Sequence, residues 1–342
     1  MEAANAVKLE TWAVSIQGGT HREMNRPCED FSETFTCEGG VGIVLADGHG
    51  SRKHFRSELG AEMACGAVRQ TLERLSVQAQ PDEIKAAIVA EWRTRVRKHL
   101  EENPWTQEEL DEQRALLSEK AFARLSSAET AKLAYGSTVL FAVVMSDGWM
   151  AMQLGDGGVA AADCNGRFCF PMPESERNSG NYTASLAMDM PMDEFRHYSE
   201  KGVPALIVLY TDGVEKAYPR KSLALTRFLH EAFCAARAGG QQALHDCAAM
   251  LAQGSSVRDD TSIGLLVNTD ADIPQPSETD AQRRAELQRL KASAQECEGT
   301  LAYLNRVLAQ QESGSDMELN LQAMIERKQS ELSALKACIE KM

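Results

Sequence analysis

Residues 44–51, VLADGHGS, place a carboxylate and an imidazole two residues apart, Asp47 and His49, with Gly48 and Gly50 beside them. Asp and Gly together are ordinary turn formers. Delivered from the end of an apolar run, the same pair can also be a metal ligand beside a proton carrier. Three further acidic positions share that setting. Glu29 precedes and Asp30 opens DFSETFTC, Asp212 follows ALIVLYT, and Asp259 and Asp260 come just before TSIGLLV. One acid at a strand end is a turn; four such sites, each held at the rim of a core, suggest a cluster. Gathered carboxylates repel one another unless cations sit among them. Oxygen-only ligands select hard divalent ions such as Mg²⁺ or Mn²⁺ over zinc.

The elements that must hold these residues are legible in the hydrophobic pattern. KLETWAVSIQG alternates as a strand, DFSETFTCEG reads as a second, and GVGIVLAD is a continuous apolar run suited to a strand buried on both faces. Helical spacing follows over 53–75, with Leu59, Met63, Ala67, Thr71 and Leu75 on one face. A second helix begins after QPDE and carries Ile84, Ile88, Trp92 and Val96; Trp92 and Trp105 are expected to fill the core beneath these helices. A third is expected after Thr106, a capping residue with Glu109 three positions on. Residues 135–170 return to strands, 172–200 read as a long loop near the cleft with short elements, and PALIVLYTDG is a buried strand. Helices over 221–252 and a last strand in RDDTSIGLLV complete an α+β pattern with an antiparallel core.

A proline-containing acidic stretch, 271–281, reads as a linker between a domain over 1–270 and a helical hairpin or coiled coil over 282–342. Leu287, Leu290, Ala294, Cys297, Leu301, Leu304 and Leu308 follow a 3-4 heptad seam; SGSD (313–316) interrupts it, and Leu321 to Ile339 resume it. Arms this short should fold back or pair with another chain, so a homo-oligomer or a protein partner through 282–342 is expected.

The 342 residues carry a net charge of −14, which argues against nucleic acid as a partner. The longest apolar runs, 41–46 and 205–210, are too short to span a bilayer. Nine cysteines, an odd number with no CxxC pair, fit a reducing cytoplasm better than a disulfide framework or a zinc ribbon.

CEDF, ADGHGS, YGSTVLFAVV, GDGGVAA, YTDGVEKAY and RDDTSIGLLV occur in the order found in the PP2C-type metal-dependent protein phosphatases. The resemblance covers about residues 10–268, and GGTHREMNRPCED looks most like a bacterial subgroup. It implies an αββα sandwich of two antiparallel sheets, with a two-metal site at the sheet edge. By position, Asp47 would bridge two Mn²⁺ or Mg²⁺ ions. Glu29 and the Gly48 carbonyl would bind one, Asp212 and Asp259 the other, and Asp156 would help hold a weaker third. Asp30 would hold a water at the ions, and His49 would protonate the leaving oxygen. The implied reaction is hydrolysis of phosphoserine and phosphothreonine in phosphorylated proteins by water activated between the metals. One position departs from the family. The phosphate-binding arginine expected four residues before Glu29 is Asn25, which leaves Arg26 for that role. His21 is expected at the surface or in packing, and Gly136-Ser137-Thr138 is read as structural. Two rival readings are a non-catalytic phosphatase-like scaffold acting through the coiled coil, and a small-molecule phosphoesterase.

Overall fold

The computed structural model of the chain describes residues 8–75, 79–125, 130–173, 183–254, 258–276, 280–309 and 316–341. It divides into two units, Met1–Pro276 and Ser277–Met342. The first unit opens with β1 (Leu9–Ile16), the short helix α1 (Gly19–Glu23), β2 (Asp30–Cys37) and β3 (Gly40–Asp47). Helices α2 (Ser57–Arg74), α3 (Pro81–Glu102), α4 (Gln107–Leu116) and α5 (Glu119–Leu125) follow. Strands β4 (Val139–Met145), β5 (Gly148–Leu154), β6 (Gly158–Ala162), β7 (Phe168–Cys169), β8 (Arg196–Lys201) and β9 (Leu206–Tyr210) come next. Helices α6 (Asp212–Ala217) and α7 (Leu223–Ala252) then lead to β10 (Thr261–Asn268).

The strands form two antiparallel sheets, ordered β1-β10-β9-β6-β7 and β2-β3-β4-β5-β8. This is the αββα sandwich expected from the resemblance. Strand β3 shows why its sequence lacks alternation. Ile43 and Leu45 pack with Ile207 and Leu209 between the sheets, while Val44 and Ala46 join Ala61, Ala64 and Val68 of α2 outside. Both faces are buried, so both must be apolar. On the other side Leu225, Leu229, Ala232 and Phe233 of α7 cover Val14, Val208 and Leu265. Helix α7 is broken at Gly240, whose φ of 64° no helix accommodates. Thr106 caps α4 as its spacing predicts: its hydroxyl accepts from the Glu109 N–H at 3.1 Å, and the Glu109 carboxylate accepts from the Thr106 N–H at 2.7 Å. Trp92 is fully buried, its indole N–H donating to the Gly60 carbonyl at 3.0 Å; Trp105 is only half-buried.

Two stretches differ from their sequence reading. Within 172–200, read as a loop, β8 forms the edge of the second sheet. Paired with β5 alone, RHYSEK exposes most of its side chains, so no apolar period marks it. Part of that stretch, 174–182, lies outside the described residues. Residues 271–276, read as the start of a linker, lie in the first unit. Ile273 is buried among α7 and β10, and its carbonyl meets His230 Nε2 at 2.9 Å.

The second unit comprises α8 (Asp280–Leu308) and α9 (Asp316–Lys341). Leu301, Leu304 and Ile325 bury one another, flanked by Leu308, Leu321 and Leu332. Cys297 Sγ lies 3.3 Å from the Lys328 carbonyl, and Glu298 pairs with Lys336 at 2.8 Å. The heptad seam thus becomes the contact between two helices. Residues 313–315 of the SGSD break and the side chain of Leu287 lie outside the described residues.

Candidate metal centre and catalytic cleft

The acidic positions converge because the strands that carry them end together. In the second sheet Asp30, first in β2, pairs with Asp47, last in β3. In the first sheet Tyr210 pairs with Ile263 on one side and Gly158 on the other. That register brings Asp212, Asp156 and the Asp259-Asp260 pair to one end. Carboxylate oxygens of Asp47, Asp156 and Asp212 lie within 4.8 Å of one another. They floor a cleft of about 560 Å³ that Glu29, His49, Lys53 and Asp259 also line.

The backbone around Asp47 is latched from both sides. The Asp47 N–H donates to Thr138 Oγ1 at 3.0 Å, the Thr138 N–H to the Asp47 carbonyl at 2.8 Å, and Ser137 Oγ to the same carbonyl at 3.2 Å. Ser137 and Thr138, in the stretch read as structural, therefore clamp the backbone that carries this carboxylate. Gly48 donates its N–H to the Glu29 carbonyl at 3.0 Å. A Cβ there would lie 2.7 Å from that oxygen, so any larger residue would push the strand ends apart. Asp30 is buried and accepts from Thr211 Oγ1 and Ser262 Oγ, each at 2.8 Å. These bonds tie the end of one sheet to the other.

His21, expected at the surface or in packing, is not at the surface and lines the cleft. It is buried, with Nδ1 2.8 Å from Asp260 Oδ2 and Nε2 3.8 Å from Glu29. Asp260 also accepts from the Gly18 and Glu29 N–H groups, at 2.7 and 2.6 Å. Asp260 thus positions Glu29, and both it and the neighbouring Asp259 line the cleft. Lys216, one turn after Asp212 on α6, pairs with Asp212 at 2.8 Å and also with Asp259. Arg26 pairs with Glu29 and does not line the cleft.

The electrostatics are those of an acid cradle. Desolvation, then the charges of Asp30, Asp212 and Asp156, holds the Asp47 carboxyl well above its ordinary pKa. Desolvation and Asp260 do the same to Asp30, although Thr211 and Ser262 oppose the shift. Asp212 is raised by desolvation against the pull of Lys216. Glu29 is pushed up to about 7, mainly by burial, with Arg26 and His21 opposing. His49 is lowered to about 4 by burial and by Lys53, so its ring is neutral at pH 7. His54, 5.0 Å away between ring centres, is likewise lowered, to about 3.

These residues fit divalent cations. The donors are all oxygen, their charges are unbalanced, and two buried oxygens, Asp156 Oδ1 and Glu29 Oε2, have no hydrogen-bond partner. Of the residues singled out from the sequence, Glu29, Asp47, Gly48, His49, Asp156, Asp212 and Asp259 line one cleft, and Asp30 lies just beneath. Asp156, assigned by resemblance to a weaker third ion, sits in the tightest carboxylate group. His21, Lys216 and Lys53 were not assigned to the site from sequence, and Asp260 was placed in the acidic cluster without a role of its own.

The family model described as protein phosphatase 2C matches residues 17–250, more than half of the chain. No curated protein matches the sequence significantly. Among solved structures, a bacterial serine phosphatase is 14% identical with a TM-score of 0.51, covering 79% of this chain and 100% of its own. A serine/threonine phosphatase of S. agalactiae is also 14% identical with a TM-score of 0.51, covering 76% of this chain and 99% of its own. At such identities the likeness is one of fold.

Proposed function

The chain belongs to the protein phosphatase 2C family, and from that premise we propose that its cleft removes phosphate from phosphoserine and phosphothreonine in proteins, using Mn²⁺ or Mg²⁺. The observation that carries the reading is the convergence of Asp47, Asp156 and Asp212 from three separate strand ends to within 4.8 Å. A structural role would not require three mutually repelling carboxylates around a common point. It also favours catalysis over a scaffold that has lost its chemistry.

In this reading Asp47, Asp156 and Asp212 hold the ions, with Glu29, Asp259 and the Gly48 carbonyl completing the donor set. When bound, the ions supply Lewis acidity, acidifying water and drawing charge from the phosphoryl group. Asp30, fixed by Thr211 and Ser262, orients water at the sheet edge. His49 stands at the leaving oxygen. Its ring is neutral in the free cleft, and an arriving phosphate dianion raises its proton affinity, which suits a donor to a serine or threonine alkoxide. His21 and Asp260 keep Glu29 in place. Among the described residues no helix is long and apolar enough to cross a membrane. The α8–α9 hairpin, outside the residues matched by the family model, is proposed to pair with a second copy or another protein.

The direct test is a panel of phosphoserine and phosphothreonine peptides beside small phosphoesters, each assayed with saturating Mn²⁺. Hydrolysis of the peptides supports the reading. Turnover of the small esters alone would assign the cleft to small-molecule substrates.

A further inference from the structure

A phosphate dianion entering this cleft meets a wall of carboxylates. Ions on the floor offset part of that charge, but the oxygens facing solvent still need a cationic partner from the chain. Several cationic side chains lie near the cleft, of which Arg196 is held by the Gly155 and Pro173 carbonyls and Arg220 by Glu215. Arg26 is taken by Glu29 and stands off the cleft wall. In the ion-free cleft Lys216 is paired with Asp212 and Asp259. Arg258 is turned to Glu23. Lys53 lines the cleft, is exposed, and among the described residues has no ion pair or hydrogen bond.

The base of Lys53 is fixed while its tip is free. The loop that carries it is closed by the His54 N–H to the Ser51 carbonyl at 2.8 Å, and by the Arg56 N–H to the Ala134 carbonyl at 2.9 Å. The His54 ring contacts the Leu133 carbonyl. The Arg56 guanidinium grips Glu109 through two bonds, 2.7 and 2.8 Å, and also reaches the Tyr135 hydroxyl at 3.0 Å. Lys53 is therefore an ammonium on a flexible stem, rooted in a rigid loop beside His49.

We propose that Lys53 is the phosphate anchor of this enzyme, binding the non-bridging oxygens of the phosphorylated side chain while His49 faces the leaving oxygen. The proposal rests on the phosphatase reading above. It assigns to a lysine of the loop after β3 the role that the sequence resemblance left to Arg26. A compact ammonium grips phosphate as a point charge, so arginine at the same place should substitute in part.

The experiment compares wild type, Lys53→Met and Lys53→Arg in saturating Mn²⁺. A phosphothreonine peptide is the substrate, inorganic phosphate the competing ligand, and calorimetry the measure of Mn²⁺ affinity. Loss of a charged hydrogen bond corresponds to roughly 10–100-fold in affinity. Lys53→Met should therefore raise KM and weaken phosphate inhibition by that factor, with a smaller fall in kcat and unchanged Mn²⁺ affinity. Lys53→Arg should recover most of the loss. A KM and a phosphate inhibition constant within twofold of wild type in Lys53→Met would overturn the anchor and leave the phosphatase reading standing. So would a matching loss of Mn²⁺ affinity, which would make Lys53 a support of the metal floor. A wild-type protein inert toward the peptide in Mn²⁺ would sink the phosphatase reading, and the anchor with it.

Discussion

Replacing Glu29 with glutamine should stabilise the metal-free protein, and do so only above mildly acidic pH. Burial raises the Glu29 pKa from 4.5 to about 7, against the opposing charges of Arg26 and His21. A carboxyl whose folded pKa exceeds its unfolded value destabilises the fold on ionisation. The cost is absent below about pH 4.5, grows between 4.5 and 7, and is complete above 7, so stability falls as pH rises through that window. A gap of this size corresponds to roughly 3 kcal/mol at pH 8 and under about 1 kcal/mol at pH 5. Glutamine keeps the shape and can still accept from Arg26, but it never ionises. In excess chelator the variant should melt roughly 5–10 °C above wild type at pH 8, and nearly with it at pH 5. Tryptophan fluorescence is the assay, because Trp12, Trp92, Trp105 and Trp149, the only four, all lie in the first unit. Mn²⁺ should reverse the order, since the variant lacks a ligand that the wild type offers. A variant less stable than wild type at pH 8 in chelator, or equally affected at both pH values, would refute the picture of a cradle charged in advance for cations.

Three further outcomes are expected. His49→Gln should slow phosphothreonine peptide hydrolysis by about 10²–10⁴-fold but p-nitrophenyl phosphate far less, because p-nitrophenolate leaves without a proton; equal losses would remove the donor role. Lys216→Met should bind Mn²⁺ more tightly by about fivefold in calorimetry, because the ammonium competes for Asp212 and Asp259; unchanged affinity would show that it does not. Ending the chain after Pro276 should preserve turnover per active site and alter only the assembly state seen by light scattering, and an insoluble or inactive product would make the hairpin part of the catalytic unit.

Much of the site was legible because chemistry and pattern coincide where apolar runs stop. Asp47 and Asp212 each end a run that had to be a buried strand, and Asp259 precedes one. What was not legible depends on contacts distant in sequence. His21 meets Asp260 across 239 positions, and no local period announces it. Asp156 joins Asp47 and Asp212 because β6 lies beside β9, and strand order is not written in hydrophobic spacing. Lys216 faces Asp212 because the chain turns at once into α6, a six-residue helix that the sequence reading did not identify beyond the strand ending at Asp212. Strand β8 escaped notice because an edge strand with one neighbour need not alternate.

The central claim is that three clustered carboxylates hold the ions that drive phosphate release. It is tested most directly by phosphate release from a phosphothreonine peptide, measured for wild type and Asp47→Asn across a Mn²⁺ titration that starts in excess chelator. The account predicts no turnover by wild type in chelator, recovery on adding Mn²⁺, and no recovery by folded Asp47→Asn at any concentration. Turnover by wild type in chelator, or near-normal turnover by Asp47→Asn, would contradict it.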